Sequence, residues 1–323
     1  MSVKQVLRSE VILEKYGQVL TGKTVLITGV SSESIAGELA VQLSAVSPKL
    51  LILSARAESK VAPVIKKINE TNPKVATLFL NMELGDMGAI RRAVDNGLAD
   101  VPQIDHLVCV AAVMACPYSK TADGMEMQFG VNYLANFLLV KLLLPKVKAA
   151  GPSSSAIIVS SSVVRQGKMH FEDLDFSNGN TYDPMAAYGQ SSVARVMFAK
   201  RLGDKLNDQG IRVYSIDPGA VATGLQRHFT PEFVQQIEEW TKAGLLVDMD
   251  GVPYEIPPWT SRSEGAATII TGMIDPTIAA HNGSFLKQNA IADDELHSHV
   301  REESNWTRLW DLSEDLIGEK YTF

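Results

Sequence analysis

The sequence predicts an α/β protein built on one doubly wound parallel sheet with helices on both faces. Three observations carry that expectation. Short runs rich in Val, Ile and Leu alternate with longer amphipathic stretches, as they do when a parallel sheet is covered by helices. The apolar runs show no polar alternation, which fits strands buried on both faces. The first run passes at once into a loop of small residues that opens a helix, a natural anion site.

Strands are expected at 24–28, 50–54, 76–80, 106–111, 156–160 and 212–217, with a last one near 284–286. Helices are expected at 34–44, 60–70, 87–98, 126–149 and 186–206, after an N-terminal helix at about 2–18. Right-handed crossovers join these into one sheet, with ligands at the carboxyl ends of its strands. Residues 222–262 show no strand pattern and are expected to cover the substrate. The tail 293–323, with Trp306 and Trp310, is expected to pack a helix back on the body. No repeat or linker divides the 323 residues, so a single domain spanning 1–323 follows.

Composition narrows the function. With 46% hydrophobic and 21% charged residues the chain reads as a soluble globular protein. A net charge of −7 argues against a nucleic-acid partner, which would require a basic face. Cys109 and Cys116 are too few for a disulfide framework and lack zinc-ligand spacing, so a reducing, cytoplasmic setting is expected. The N-terminus has no apolar signal-like core. The run 134–144 is broken by Asn136 and Lys141 and is short for a bilayer, so no membrane partner is expected.

The loop Gly29-Val30-Ser31-Ser32-Glu33-Ser34-Ile35-Ala36-Gly37 sits where a pyrophosphate would meet free N–H groups and a helix dipole. Only Gly29 stands where a dinucleotide fingerprint requires glycine. With one extra loop residue, Ser34-Ile35-Ala36 takes the place of Gly-Ile-Gly. An ordinary tight turn is the competing reading. Arg56, after the second strand, suits a 2′-phosphate and favours NADP(H) over NAD(H); a solvated strand-end arginine is the alternative.

The stretch from Leu107 to Gly124, with Gly130-Val131-Asn132, Ala187-Tyr188-Gly189-Gln190-Ser191-Ser192 and Asp217-Pro218-Gly219, resembles the short-chain dehydrogenase/reductases. The likeness is greatest to their retinol dehydrogenase-like branch and to fungal members of secondary-metabolite pathways, and it runs from about residue 21 to 318. It implies a Rossmann-type fold and a catalytic set: Asn132 to hold a water, Ser161 (with Ser162 as the alternative register) to orient substrate, and Tyr188 as acid/base. Position 192, where the resemblance implies lysine, is Ser192, and a hydroxyl cannot supply the roughly 4 kcal/mol that brings a phenol near neutral pH. Lys200, Arg201 and Arg195 are judged too far along the helix to substitute. The resemblance also places Gly29, Ser31, Ser32, Ser34, Ile35, Arg56, Glu83, Ala111, Pro218, Gly219, Val221 and Thr223 around the cofactor. Departures there are Cys109-Val110-Ala111-Ala112 for Asn-Asn-Ala-Gly, and Glu83 for an adenine-side aspartate.

Other constellations are set aside. Asp248-Met249-Asp250-Gly251 lacks the remaining ligands of a calcium loop, and His170 with Glu172, Asp173 and Asp175 reads as a solvated loop, so no metal is expected. Gly189-Gln190-Ser191 fails to continue as a hydrolase elbow. Three functions remain. The first is an NADP(H)-dependent oxidoreductase of a ketone or alcohol on a hydrophobic small molecule. The second is a redox-neutral enzyme (dehydration, isomerisation or cyclisation), with nicotinamide lost or kept as a prop. The third is an inactive subunit that binds a partner. A monomer or a homodimer is expected.

Overall fold

The computed structural model describes residues 7–243, 246–255 and 259–323. In chain order its strands are β1 Thr24–Thr28, β2 Leu50–Ala55, β3 Ala76–Asn81, β4 His106–Cys109, β5 Ser155–Val159, β6 Arg212–Asp217, β7 Ala220–Val221, β8 Leu246–Val247, β9 Pro253–Tyr254, β10 Trp259–Thr260, β11 Phe285–Lys287 and β12 Ala290–Ile291. The helices are α1 Ser9–Tyr16, α2 Ile35–Ser44, α3 Glu58–Thr71, α4 Met87–Gly97, α5 Met127–Phe129, α6 Ala135–Ala149, α7 Pro184–Leu206, α8 Pro231–Ala243, α9 Arg262–Ile274, α10 Ser298–Arg301 and α11 Glu303–Ile317.

Eight strands form one sheet in the order β12-β11-β6-β5-β4-β1-β2-β3, parallel except for β12. This is a Rossmann-type sheet, and its order reverses between β1 and β4, where a crevice opens at the strand ends. Alternate strand residues feed two cores. Val25, Ile27, Leu51 and Leu53 pack with α1, α2, α3 and α9, whereas Leu26, Ile52, Leu107 and Ile158 pack with α4, α6, α7 and α11.

The structure alters several boundaries drawn from the sequence. The strand expected at 106–111 ends at Cys109, because Thr28 Oγ1 accepts the N–H groups of Val110 and Ala111 and turns the chain out of the ladder. The helix expected at 126–149 is interrupted by a π turn at Gly130–Leu134. The helical run Met127–Ala149 is nonetheless long and apolar enough to cross a membrane by length and composition, unlike the short broken run read from sequence; 83% of its apolar window is buried inside the fold. The expected N-terminal helix occupies Ser9–Tyr16 and continues as a 3-10 turn, Gly17–Leu20; its first residues lie outside the described ones. Segment 222–262, expected to be strandless, contains α8 and three two-residue strands, with 244–245 and 256–258 outside the described residues. β10 pairs with β7, and β8 with β9. These strands are too short to write a period-2 pattern.

The tail docks as expected. Trp310 on α11 lies edge-on to Phe137 of α6 with ring centroids 5.1 Å apart, and Tyr321 donates its hydroxyl to the Phe137 carbonyl at 2.7 Å.

Candidate active site

At the mouth of the crevice, Gly29 takes a φ of +77°, and a Cβ there would lie 2.8 Å from Ala111 Cα. Glycine lets the first loop touch the turn after β4. Ser34 caps α2: its Oγ accepts the N–H groups of Gly37 and Ser31, both at 3.0 Å, and donates to the Ser31 carbonyl. The N–H groups of Ile35 and Ala36 open the helix, where no intrahelical acceptor exists. Gly37, which the sequence reading passed over, is the tightest point, since a Cβ there would stand 2.0 Å from the Ser31 carbonyl oxygen. That glycine makes the close helix-to-loop approach one residue beyond Ala36, where the fingerprint would have it.

Arg56 follows β2 with its side chain exposed, 4.0 Å from Glu83, while Glu83 also accepts the Gly85 N–H. On the other flank Gly219 has a φ of +81° and donates to Asp217 Oδ1 at 3.0 Å. Thr223 caps the 3-10 turn Gly224–His228 in a capping box with Gln226. Gly265 on α9 packs against Val221, Pro218 and Ile35, so one helix face unites both flanks of the site. Ser32, whose carbonyl accepts from Arg262 at 2.9 Å, ties the loop to the start of the same helix.

The acid/base end gathers Tyr188, Ser161, Asn132 and Ser192. Tyr188 is 3% exposed on α7, and the Ser161 hydroxyl is its hydrogen-bond partner; Ser161 also caps the turn Ser162–Arg165. Burial pushes the phenol above its usual range, while the Arg195 guanidinium and the Ser161 bond draw it down. Asp217 acts in the same sense as burial. It is itself buried, with burial raising its pKa, and its Oδ2 has no hydrogen-bond partner among the described residues. Ser192 does not reach into the site. Its Oγ bonds back to the Tyr188 carbonyl at 2.9 Å.

Asn132 is pinned within the π turn. Its side chain accepts the Val113 N–H and donates to the Val113 carbonyl and to Ser191 Oγ. Its main-chain carbonyl accepts Arg195 Nε at 2.6 Å. Arg195 also donates to Val159 at the end of β5 (2.9 Å) and to Ala111 after β4 (3.4 Å). Arg195 also lowers the Tyr188 pKa by its charge, an influence that spacing along the helix alone does not suggest. Residues seven apart on a helix differ by only about 20° in direction. Helical side chains also lean toward the N-terminus, here toward Tyr188. Lys200 and Arg201 do point elsewhere, to Asp293 and to Asp204 with Glu303.

Segment 222–262 is joined to both sides of this site. β10 pairs with β7 beside Pro218-Gly219, and Met249 donates its N–H to the Arg165 carbonyl at the end of the turn that Ser161 caps. No group of His, Cys, Asp and Glu among the described residues is arranged to hold a metal.

A family model described as short chain dehydrogenase matches residues 23–232. Retinol dehydrogenase 11 of Homo sapiens is 31% identical over 93% of this chain and 87% of its own length. Retinol dehydrogenase 13 of Mus musculus is 40% identical over 65% of this chain and 61% of its own length. Among solved structures, a short chain dehydrogenase from Burkholderia cenocepacia J2315 in complex with NADP shares the fold with a TM-score of 0.62 at 19% identity, covering 84% of this chain and 99% of that one.

Proposed function

Because the chain belongs to the short-chain dehydrogenases, we propose that this oxidoreductase uses NADP(H) to interconvert a ketone and an alcohol on a hydrophobic small molecule. The observation that carries this reading is the buried Tyr188–Ser161 pair lying across the crevice from a helix start with open N–H groups. The donor set suits a dinucleotide phosphate. Gly29, Ser31, Ser32, Ser34 and Ile35 would face the pyrophosphate, Arg56 the 2′-phosphate, Glu83 and Ala111 the adenosine side, and Pro218, Gly219, Val221 and Thr223 the nicotinamide side. NADP(H), when bound, supplies or accepts the hydride.

The chain's own residues do the rest. Ser161 donates to the substrate oxygen and holds it beside the phenol. Tyr188, kept protonated at neutral pH by burial, gives its proton to the oxygen of a ketone as negative charge develops there. The covering segment excludes water, and its exposed Val247, Met249, Val252 and Trp259 suit an apolar substrate. On sequence alone we place the reaction in secondary metabolism. We also place the protein, as a single domain and a monomer or homodimer, in the cytoplasm without a membrane or nucleic-acid partner. The burial of the apolar run 127–149 supports that placing.

Titration with NADPH and NADH, followed by a panel of apolar ketones and alcohols, tests the reading. Micromolar NADPH binding that weakens in Arg56→Ala, with turnover lost by about 100-fold or more in Tyr188→Phe, is the expected result. Failure to bind either nucleotide at millimolar concentration, or product formed from substrate without nucleotide, would overturn it and favour the redox-neutral reaction.

A further inference from the structure

Arg195 is 1% exposed, and its hydrogen bonds run to three main-chain carbonyls and to no carboxylate among the described residues. Burying a cation without a counter-ion is costly, and tying three carbonyls together does not require one. Burial lowers its pKa to about 10, which leaves it charged at neutral pH, and the ionisable groups that couple to its charge are Tyr188 and Cys109. Burial pushes the Cys109 thiol up to about 12, so it stays neutral. Tyr188 is then the group whose ionisation meets this charge.

We propose that Arg195 is a positioning residue that supplies, from two turns along α7, the positive charge that stabilises the Tyr188 phenolate. The inference rests on Tyr188 being the acid/base of the function proposed above. Three features of the fold build the arrangement. Ser192 is small and bonded back to its own helix at the Tyr188 carbonyl, so it brings no charge of its own to the phenol. The π turn presents the Asn132 carbonyl to Arg195 Nε. The ends of β4 and β5 hold the two terminal nitrogens, so the guanidinium is fixed at three points. The groups that act on the phenol are Arg195 on its own helix, Ser161 after β5 and Asp217 at the end of β6, the last acting in the opposite sense.

The test reads Tyr188 directly in nucleotide-free protein, through the 19F resonance of 3-fluorotyrosine assigned by its loss in Tyr188→Phe. Arg195→Gln is expected to raise the Tyr188 midpoint by about one pH unit or more, whereas Arg195→Lys leaves it near the wild-type value. Adding Ser192→Lys to Arg195→Gln returns it toward wild type. An unmoved midpoint in folded Arg195→Gln overturns the proposal.

Should Arg195→Gln fail to fold, the 15N resonance of Arg195 Nε in the wild-type chain decides instead. It should shift as Tyr188 ionises and stand still over the same range in Tyr188→Phe; a resonance that ignores Tyr188 ionisation overturns the proposal equally. Neither measurement needs turnover. A chain that consumes no nicotinamide would defeat the oxidoreductase reading while these titrations still decide the role of Arg195. Where turnover is found, the alkaline rise of kcat for alcohol oxidation moves up with the Tyr188 midpoint in Arg195→Gln.

Discussion

His106 sits at the start of β4, fully buried, with Nδ1 2.9 Å from Ser155 Oγ on the next strand, and burial pushes its pKa down to about 4. An unfolded histidine titrates near 6.5, so between the two values the unfolded chain binds the extra proton. The stability tied to a neutral His106 is therefore complete above about pH 6.5 and is lost as pH falls toward 4. Between pH 7 and 5 that loss amounts to about 2 kcal/mol. Denaturant midpoints should show it in the wild-type chain and not in His106→Gln; equal pH slopes in the two would refute it. At this scale the sequence displayed the identities of the site residues but not their reach. Asn132, Ser161 and Tyr188 were found by motif. The bonds of Arg195 to Asn132, Val159 and Ala111 are not legible from spacing, because counting residues along a helix measures the rise and ignores the backward lean of a long side chain. In the sequence Asp217 belongs only to a turn, and nothing in its neighbours announces that its carboxyl is buried and acts on the phenol.

Elements explain the first loop better than its letters do. Ser34 and Ala36 stand where the fingerprint expects glycines, yet the close approach of helix to loop is made at Gly37. Gly37→Ala would press a methyl into the Ser31 carbonyl and push the loop off the helix start. The expected outcome is NADPH affinity weaker by about tenfold or more, with a destabilisation of about 1–3 kcal/mol. Calorimetric titration with a parallel thermal melt checks both, and unaltered affinity would show that the loop does not hold the nucleotide. The long elements, α2, α3, α4 and α7 and the parallel strands, were legible from their periodicity, with ends off by a residue or two. The π turn was not, because it adds no break to an apolar run. Nor were β7 and β10, since two residues cannot display alternation. The covering segment owes its attachment to those two strands and to the Arg165–Met249 bond.

Across the whole molecule, one parallel sheet and the docking of the tail were legible in the sequence, while the strand order, the antiparallel β12 and the contact of α1 with α9 were not. The far end of the chain is held by aromatic packing: Tyr321 lies 4.9 Å from Phe137 and 4.6 Å from Trp310 between ring centroids. Tyr321→Ala should cost about 3 kcal/mol. Tyr321→Phe, which removes only the hydrogen bond to the Phe137 carbonyl, should cost about 1 kcal/mol. Urea midpoints at constant slope check both, and equal losses would mean that the ring contributes nothing beyond its hydroxyl. The same contact has a bearing on synthesis. α1 meets α9 through Ser9, Glu10 and Ser263, and Phe137 meets Tyr321, so early segments depend on partners made much later. During translation the apolar α6 must wait, uncovered on that side, until residue 321 has left the ribosome. A nascent chain of this fold is open to chaperones, and to aggregation, for as long as α6 lacks that cover.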